Sequence, residues 1–71
     1  MTENDSGALK IIEIAGWSPD GFEAAIEQAV SKASESINGI TDVEVLKQSA
    51  EVRDGRVAIY RVTVKLSFVV R

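Results

Sequence analysis

Val52-Arg53-Asp54-Gly55-Arg56-Val57 holds the strongest turn signal in this 71-residue chain. An Asp-Gly pair between two β-prone runs predicts a two-residue hairpin loop. Residues 40–53 and 56–71 then read as two long antiparallel strands. A two-residue loop sets the register, so Arg53 faces Arg56 and Val52 faces Val57. Carried inward, the same register puts Val45 opposite Val64, Val43 opposite Leu66, Glu44 opposite Lys65, Asp42 opposite Ser67 and Gln48 near Arg61. Apolar residues meet apolar ones and acid meets base, as cross-strand pairing favours. The last strand alternates cleanly: Tyr60, Val62, Val64, Leu66, Phe68 and Val70 share one face, and Arg61, Thr63, Lys65 and Ser67 share the other.

Upstream, Asn38-Gly39 reads as a helix stop. Phe22, Ile26, Ala29, Val30, Ala33 and Ile37 recur before it at helical spacing, with Glu23, Glu27, Gln28, Ser31 and Lys32 on the other side. Ser18 is expected to cap this helix, with Pro19 in its first turn and Asp20 and Glu23 favoured by the dipole. The helix would run about five turns. Residues 8–15, rich in isoleucine, read as the first strand. Residues 1–7 are polar and acidic and read as a disordered arm before a single domain at 8–71.

These elements give an α+β class and a β-α-β-β order. A right-handed crossover through the helix makes the first and second strands parallel. The third inserts between them, antiparallel to both, for a sheet order of 2-3-1 packed on one helix. The helix is expected over the Val43, Val45, Val64 and Leu66 face. The opposite face carries Asp42, Glu44, Leu46, Gln48, Arg61, Thr63 and Lys65, either solvated or used for assembly.

Composition narrows function. Without cysteine there is no disulfide and no thiolate metal site. Without histidine the commonest general base and transition-metal ligand are missing. Net charge is −3 with no basic patch, which argues against nucleic-acid binding. No apolar run approaches the roughly 20 residues that span a bilayer. The acidic start lacks the order of a signal peptide, so a cytoplasmic protein is expected. A chain this short buries only about 60% of its unfolded surface. With no covalent or metal staple, self-association is the expected remedy. No base, nucleophile or closed metal set is visible, so the chain reads as a non-enzyme.

Over about sixty residues the sequence resembles the dodecins, a family of small flavin-binding proteins. The residues that carry this are Ile11-Ile12-Glu13-Ile14-Ala15-Gly16, Ser18-Pro19-Asp20-Gly21, Glu23-Ala24-Ala25-Ile26, Val43-Glu44-Val45, Gln48, the run from Val52 to Val57, and Tyr60-Arg61-Val62-Thr63-Val64-Lys65-Leu66-Ser67-Phe68. The resemblance implies twelve copies in a hollow shell and, in many members, flavins stacked between symmetry-related tryptophans. It also implies that Asp42 stands where the family's stacking tryptophan lies, and Arg61 where its flavin-contacting glutamine lies. An aspartate offers no aromatic platform, which contributes about 0.5–1.5 kcal/mol beyond buried area, and its charge repels a flavin phosphate. The pattern is similar to the tryptophan-lacking calcium dodecin subgroup. The implied function is binding or storage of calcium or another small ligand, with flavin weakly held or absent. The alternative is genuine riboflavin or FMN storage through non-standard contacts.

Asp42 and Glu44, two apart on a strand, leave the same face and are the candidate metal ligands. Calcium takes six to eight oxygens, so symmetry copies would have to converge. The competing reading pairs Glu44 with Lys65, and Asp42 with Arg61 or water. Trp17, the only tryptophan, reads either as a relocated aromatic wall for a ligand or as a plug packed on the first helical turn. Gln48 is a further ligand candidate. Glu13 pairs with Arg61 or lies at a subunit contact.

Overall fold

Both central residues of the Asp54-Gly55 turn adopt positive φ, 53° and 77°. This is the backbone of a primed hairpin turn, whose twist matches that of the flanking strands. In the computed structural model, which describes residues 6–70, the turn joins β2 (Ile40–Arg53) to β3 (Arg56–Val69). They are preceded by β1 (Leu9–Ser18) and α1 (Phe22–Ser34). The sheet order is β1-β3-β2, with β3 antiparallel to both neighbours. The class, the element order and the central place of β3 are those read from the sequence.

The hairpin register holds next to the turn and again from Asp42 to Val45, slips between those stretches, and shifts once more at Thr41, so that Ile40 faces Phe68. Arg53 faces Arg56 and Val52 faces Val57. Ala58 is then an extra residue on β3, so Glu51 faces Ile59 and the pairing runs one residue out of step. Leu46 is an extra residue on β2 and restores the step. Val45 therefore faces Val64, Val43 faces Leu66, Glu44 faces Lys65 and Asp42 faces Ser67, as a two-residue turn alone would have placed them. Between the two irregularities a one-residue slip turns each β2 side chain to the other face. Gln48 consequently faces Val62, on the helix side, and Ser49 faces Arg61. The expectation that Gln48 lies beside Arg61 is corrected accordingly.

β1 is longer than expected, continuing through Gly16, Trp17 and Ser18. Ser18 is thus the last strand residue and not a helix cap. Its buried hydroxyl accepts a hydrogen bond from the Asp20 amide at 3.0 Å and so holds the turn into the helix. The N-cap is Gly21, at φ 140° and without a side-chain cap bond, so Pro19 and Asp20 precede the helix. Glu23 does occupy the first turn. α1 has 13 residues, under four turns at 3.6 residues each. Residues 35–37 continue it only as a loosened turn, with the Ile37 amide donating to the Ala33 carbonyl at 2.9 Å.

The core is small. Ala25 and Ala29 of α1 meet Val62, Val64 and Leu66 of β3, flanked by Ile12, Ile14, Phe22, Ile26, Val30, Ala33 and Ile40. Phe22 and Tyr60 pack edge to face with centroids 5.0 Å apart. Small residues let strand and helix approach. A Cβ on Gly16 would lie 2.5 Å from the Ala25 carbonyl oxygen and 2.8 Å from the Ala29 Cβ. This draws α1 over β1 and β3, and it scarcely reaches β2. Val64 and Leu66 are covered as expected, whereas Val43 and Val45 remain 42% and 40% exposed.

The outer half of the hairpin extends beyond the helix. The molecule measures 58 × 21 × 16 Å, with a radius of gyration of 15.2 Å. A self-contained domain of this length would have about 11 Å. Of the expected N-terminal arm, residues 1–5 lie outside the described residues, and Ser6 and Gly7 are exposed without regular structure.

Candidate functional site

The face of the sheet turned away from α1 carries most of the candidate residues. Its side chains stand in cross-strand rows, because directly opposed residues in antiparallel strands share a face. From one end, the rows are Ile11–Ser67–Asp42, Glu13–Lys65–Glu44, Ala15–Thr63–Lys47 and Trp17–Arg61–Ser49. Each begins on β1, crosses β3 and ends on β2.

Asp42 and Glu44 therefore do share a face, separated by about 7 Å along β2. The Thr41 hydroxyl lies 3.2 Å from Asp42 Oδ2 and 3.4 Å from the Ser67 carbonyl oxygen, and holds the carboxylate at the start of the strand. Glu44 flanks Lys65 on one side and Glu13 flanks it on the other. The lysine thus separates the two acids across the sheet. Lys65, not Arg61, is the cross-strand partner of Glu13, which corrects the Arg61 pairing. Among the described residues, ion pairs within 4 Å form elsewhere, between Lys32 and Glu35 and between Arg53 and Glu51. No three acidic side chains of one protomer gather into a group that could hold a metal, among the described residues.

Asp42 and Arg61 also share the face, but Arg61 lies six residues along β3 from the partner of Asp42. At strand spacing that is about 20 Å. One protomer therefore does not bring the two residues together around one small ring. Arg61 has different neighbours within its own protomer. Its Nε donates to Ser49 Oγ at 3.2 Å, and Trp17 stands opposite it on β1. Trp17 is 62% exposed. It is not the plug on the first helical turn, because β1 runs on through it and aims it at the open face. It also borders a cavity of about 500 Å³ between β1 and α1, with Gln28 and Lys32 on the helix side.

Ser49 and Lys47 were not visible as site residues from the sequence. Strict alternation from the turn sends both to the helix side, and only the slip between Ala58 and Leu46 brings them to the open face. An unbroken β-prone run carries no local mark of such a slip.

Known proteins of similar sequence and fold supply a separate comparison. A family model described as Dodecin matches residues 8–71. Calcium dodecin of Mycobacterium tuberculosis is 34% identical over 62 residues, which cover 87% of each chain. Dodecin from Streptomyces coelicolor superposes with a TM-score of 0.90 at 31% identity, over 94% of this chain and 96% of that one. The crystal structure of the M. tuberculosis calcium dodecin, described as having a novel calcium-binding site, superposes with a TM-score of 0.78 at 34% identity, over 90% and 91% of the two chains.

Proposed function

The chain belongs to the dodecin family, and from that premise we propose that it works as a closed shell of twelve copies that binds or stores a small ligand or ion without catalysing a reaction. Three features support a closed assembly. Few side chains are fully buried, the hairpin extends past its helix, and large apolar residues are exposed on both sheet faces, among them Leu9, Ile11, Val43, Val45 and Leu46. Closed symmetry covers such surfaces and protects strand edges. The setting this reading expects is the cytoplasm, with neither nucleic acid nor membrane as partner.

The shell has lost the flavin stack of its family. The observation that carries this reading is Asp42, an exposed carboxylate where the family resemblance places an aromatic wall. Enclosing a ring against it would desolvate the charge. Arg61 replaces an amide, which both donates and accepts, by a group that only donates. In place of flavin, Asp42 and Glu44 suit calcium, with oxygens from more than one copy completing the shell. The likeness to a calcium dodecin supports the ion.

Native mass spectrometry of the purified protein reads subunit number and retained ligand together. Twelve subunits without flavin are expected, and a yellow, flavin-loaded assembly would overturn the lost stack. Calcium should raise the melting temperature, since a ligand that binds only the native state stabilises it, and Asp42→Asn should abolish that rise. The second reading, flavin held through non-standard contacts, is favoured by the exposed Trp17 beside Arg61. Tight quenching of flavin fluorescence by the wild-type protein would select it.

A further inference from the structure

Asparagine followed by glycine is a reactive pair in neutral water, because glycine has no side chain to hinder the approach of its amide nitrogen to the asparagine amide carbon. The chain has this pair once, at Asn38-Gly39. It lies in the connection from α1 to β2, outside both elements, and both residues are exposed. Gly39 has φ 78°, and an added Cβ there would meet nothing within 4 Å. Among the described residues, no hydrogen bond holds the Asn38 side chain or the Gly39 amide. We infer that Asn38 is a site of self-modification, at which the Gly39 backbone converts the side-chain amide to a carboxylate with water as the only co-reactant.

The step balances without a cofactor or an oxidant. The Gly39 nitrogen gives up its proton and bonds to Asn38 Cγ. The Cγ–Nδ2 bond breaks as the side-chain nitrogen takes up a proton and leaves as ammonia, which closes a succinimide ring. Water then opens the ring at either carbonyl. Cleavage at Cγ gives an ordinary aspartate. Cleavage at the main-chain carbonyl gives isoaspartate, with the backbone rerouted through Cβ and Cγ. Either product carries one more negative charge than the parent chain, whose net charge is −3.

The other candidate pairs are less suited. Asp20-Gly21 and Asp54-Gly55 present a carboxylate, whose negative charge makes it a poorer target for an amide nitrogen than a neutral side-chain amide. Asp54-Gly55 is also closed into a two-residue turn between the paired Arg53 and Arg56, and the Asp20 amide is tied to the Ser18 hydroxyl at 3.0 Å. The second asparagine of the sequence, Asn4, is followed by Asp5, whose side chain hinders the approach. The surroundings of Asn38 give the new charge a consequence. Asn38 and Lys10 line one cavity of about 500 Å³, whose wall includes Ile37 and Phe68. An aspartate at 38 offers the Lys10 ammonium a counter-charge across that cavity and so braces the connection against β1. Isoaspartate instead lengthens the main chain two residues before Ile40, which packs on the core at the start of β2. The two products therefore act in opposite directions on the same connection.

The experiment incubates the purified native protein from neutral to mildly alkaline pH and follows it by peptide mass spectrometry and ion-exchange chromatography. Residue 38 should be the first in the chain to gain the mass of an amide-to-acid change, at a rate that rises with pH. Ammonia should be released in equal amount, and both aspartate and isoaspartate should appear at 38. Gly39→Ala puts a methyl group on the attacking residue and should slow the conversion at least tenfold. Alanine is strained at φ 78°, so Asn38→Gln is the second control. It keeps Gly39 and the amide but must close a larger ring, and should be slowed at least as much. Circular dichroism and native mass spectrometry check that both variants keep the wild-type fold and subunit number. Among the aged species separated by charge, the isoaspartate form should melt below the aspartate form, and Asn38→Asp should melt with the latter. Faster conversion at Asn4 or at a glutamine, or a rate that both Gly39→Ala and Asn38→Gln leave unchanged, would overturn the inference. So would a residue 38 that stays intact in the native protein while the urea-unfolded chain converts, which would assign the connection to a protected contact.

Discussion

Gly16 is where strand and helix come closest, and its role is steric. Any Cβ there meets the Ala25 carbonyl at 2.5 Å, and a backbone atom cannot swing aside as a side-chain tip can. Gly16→Ala should therefore cost about 1–3 kcal/mol, the range for overpacking a filled core. Denaturant unfolding at fixed protein concentration measures this, and an unchanged midpoint would show that α1 can lift off β1. At Asp42 the concern is affinity. Asp42→Trp with Arg61→Gln should gain flavin affinity over wild type by fluorescence quenching. The two positions lie about 20 Å apart within a chain, so the gain should require the assembled protein and disappear under conditions that dissociate it.

At the scale of the element, α1 tests the stripe and the hairpin tests the turn. Val30 packs on the core, whereas Glu27 is exposed. Val30→Asp should destabilise by about 2–4 kcal/mol, because an unpaired charge enters an apolar contact. Glu27→Ala should stay within about 0.5 kcal/mol, as surface changes do. Equal tolerance of the two by circular dichroism would mean that the wrong face is buried. Gly55 adopts φ 77° in open space, with no atom within 4 Å of an added Cβ. Gly55→Val therefore isolates the backbone cost of a left-handed residue, about 1–2 kcal/mol. Because the turn sits at the exposed tip, the loss should appear as faster hydrogen exchange in residues 52–57.

For the whole molecule, shape carries the argument. A radius of gyration of 15.2 Å, against about 11 Å for a self-contained domain, places much of the hairpin outside any core the chain builds for itself. The melting temperature should accordingly rise with protein concentration, as mass action requires when folding is coupled to assembly. A concentration-independent transition together with a monomer in light scattering at micromolar protein would remove the closed shell.

The sequence by itself determined the class, the β-α-β-β order and the central place of β3. Those depend on local signals: alternation in residues 60–70, helical spacing from Phe22, and a glycine turn whose φ few other residues accept. It also determined the pairing of Asp42, Glu44, Val43 and Val45, though only because the slips at Ala58 and Leu46 cancel. The tertiary structure decided the rest. Ser18 and Pro19 satisfied every rule for a helix start, yet β1 ran on through Trp17, because the ladder with β3 continues to Tyr60 and the Ser18 hydroxyl was engaged by the turn. Gln48 and Ser49 exchanged faces through two inserted residues that leave no trace in composition. Where an extra residue enters a strand is settled by how twisted strands fit against a helix, and that fit joins residues far apart in the chain. Trp17, Arg61 and Ser49, drawn from three strands, became neighbours by the same route.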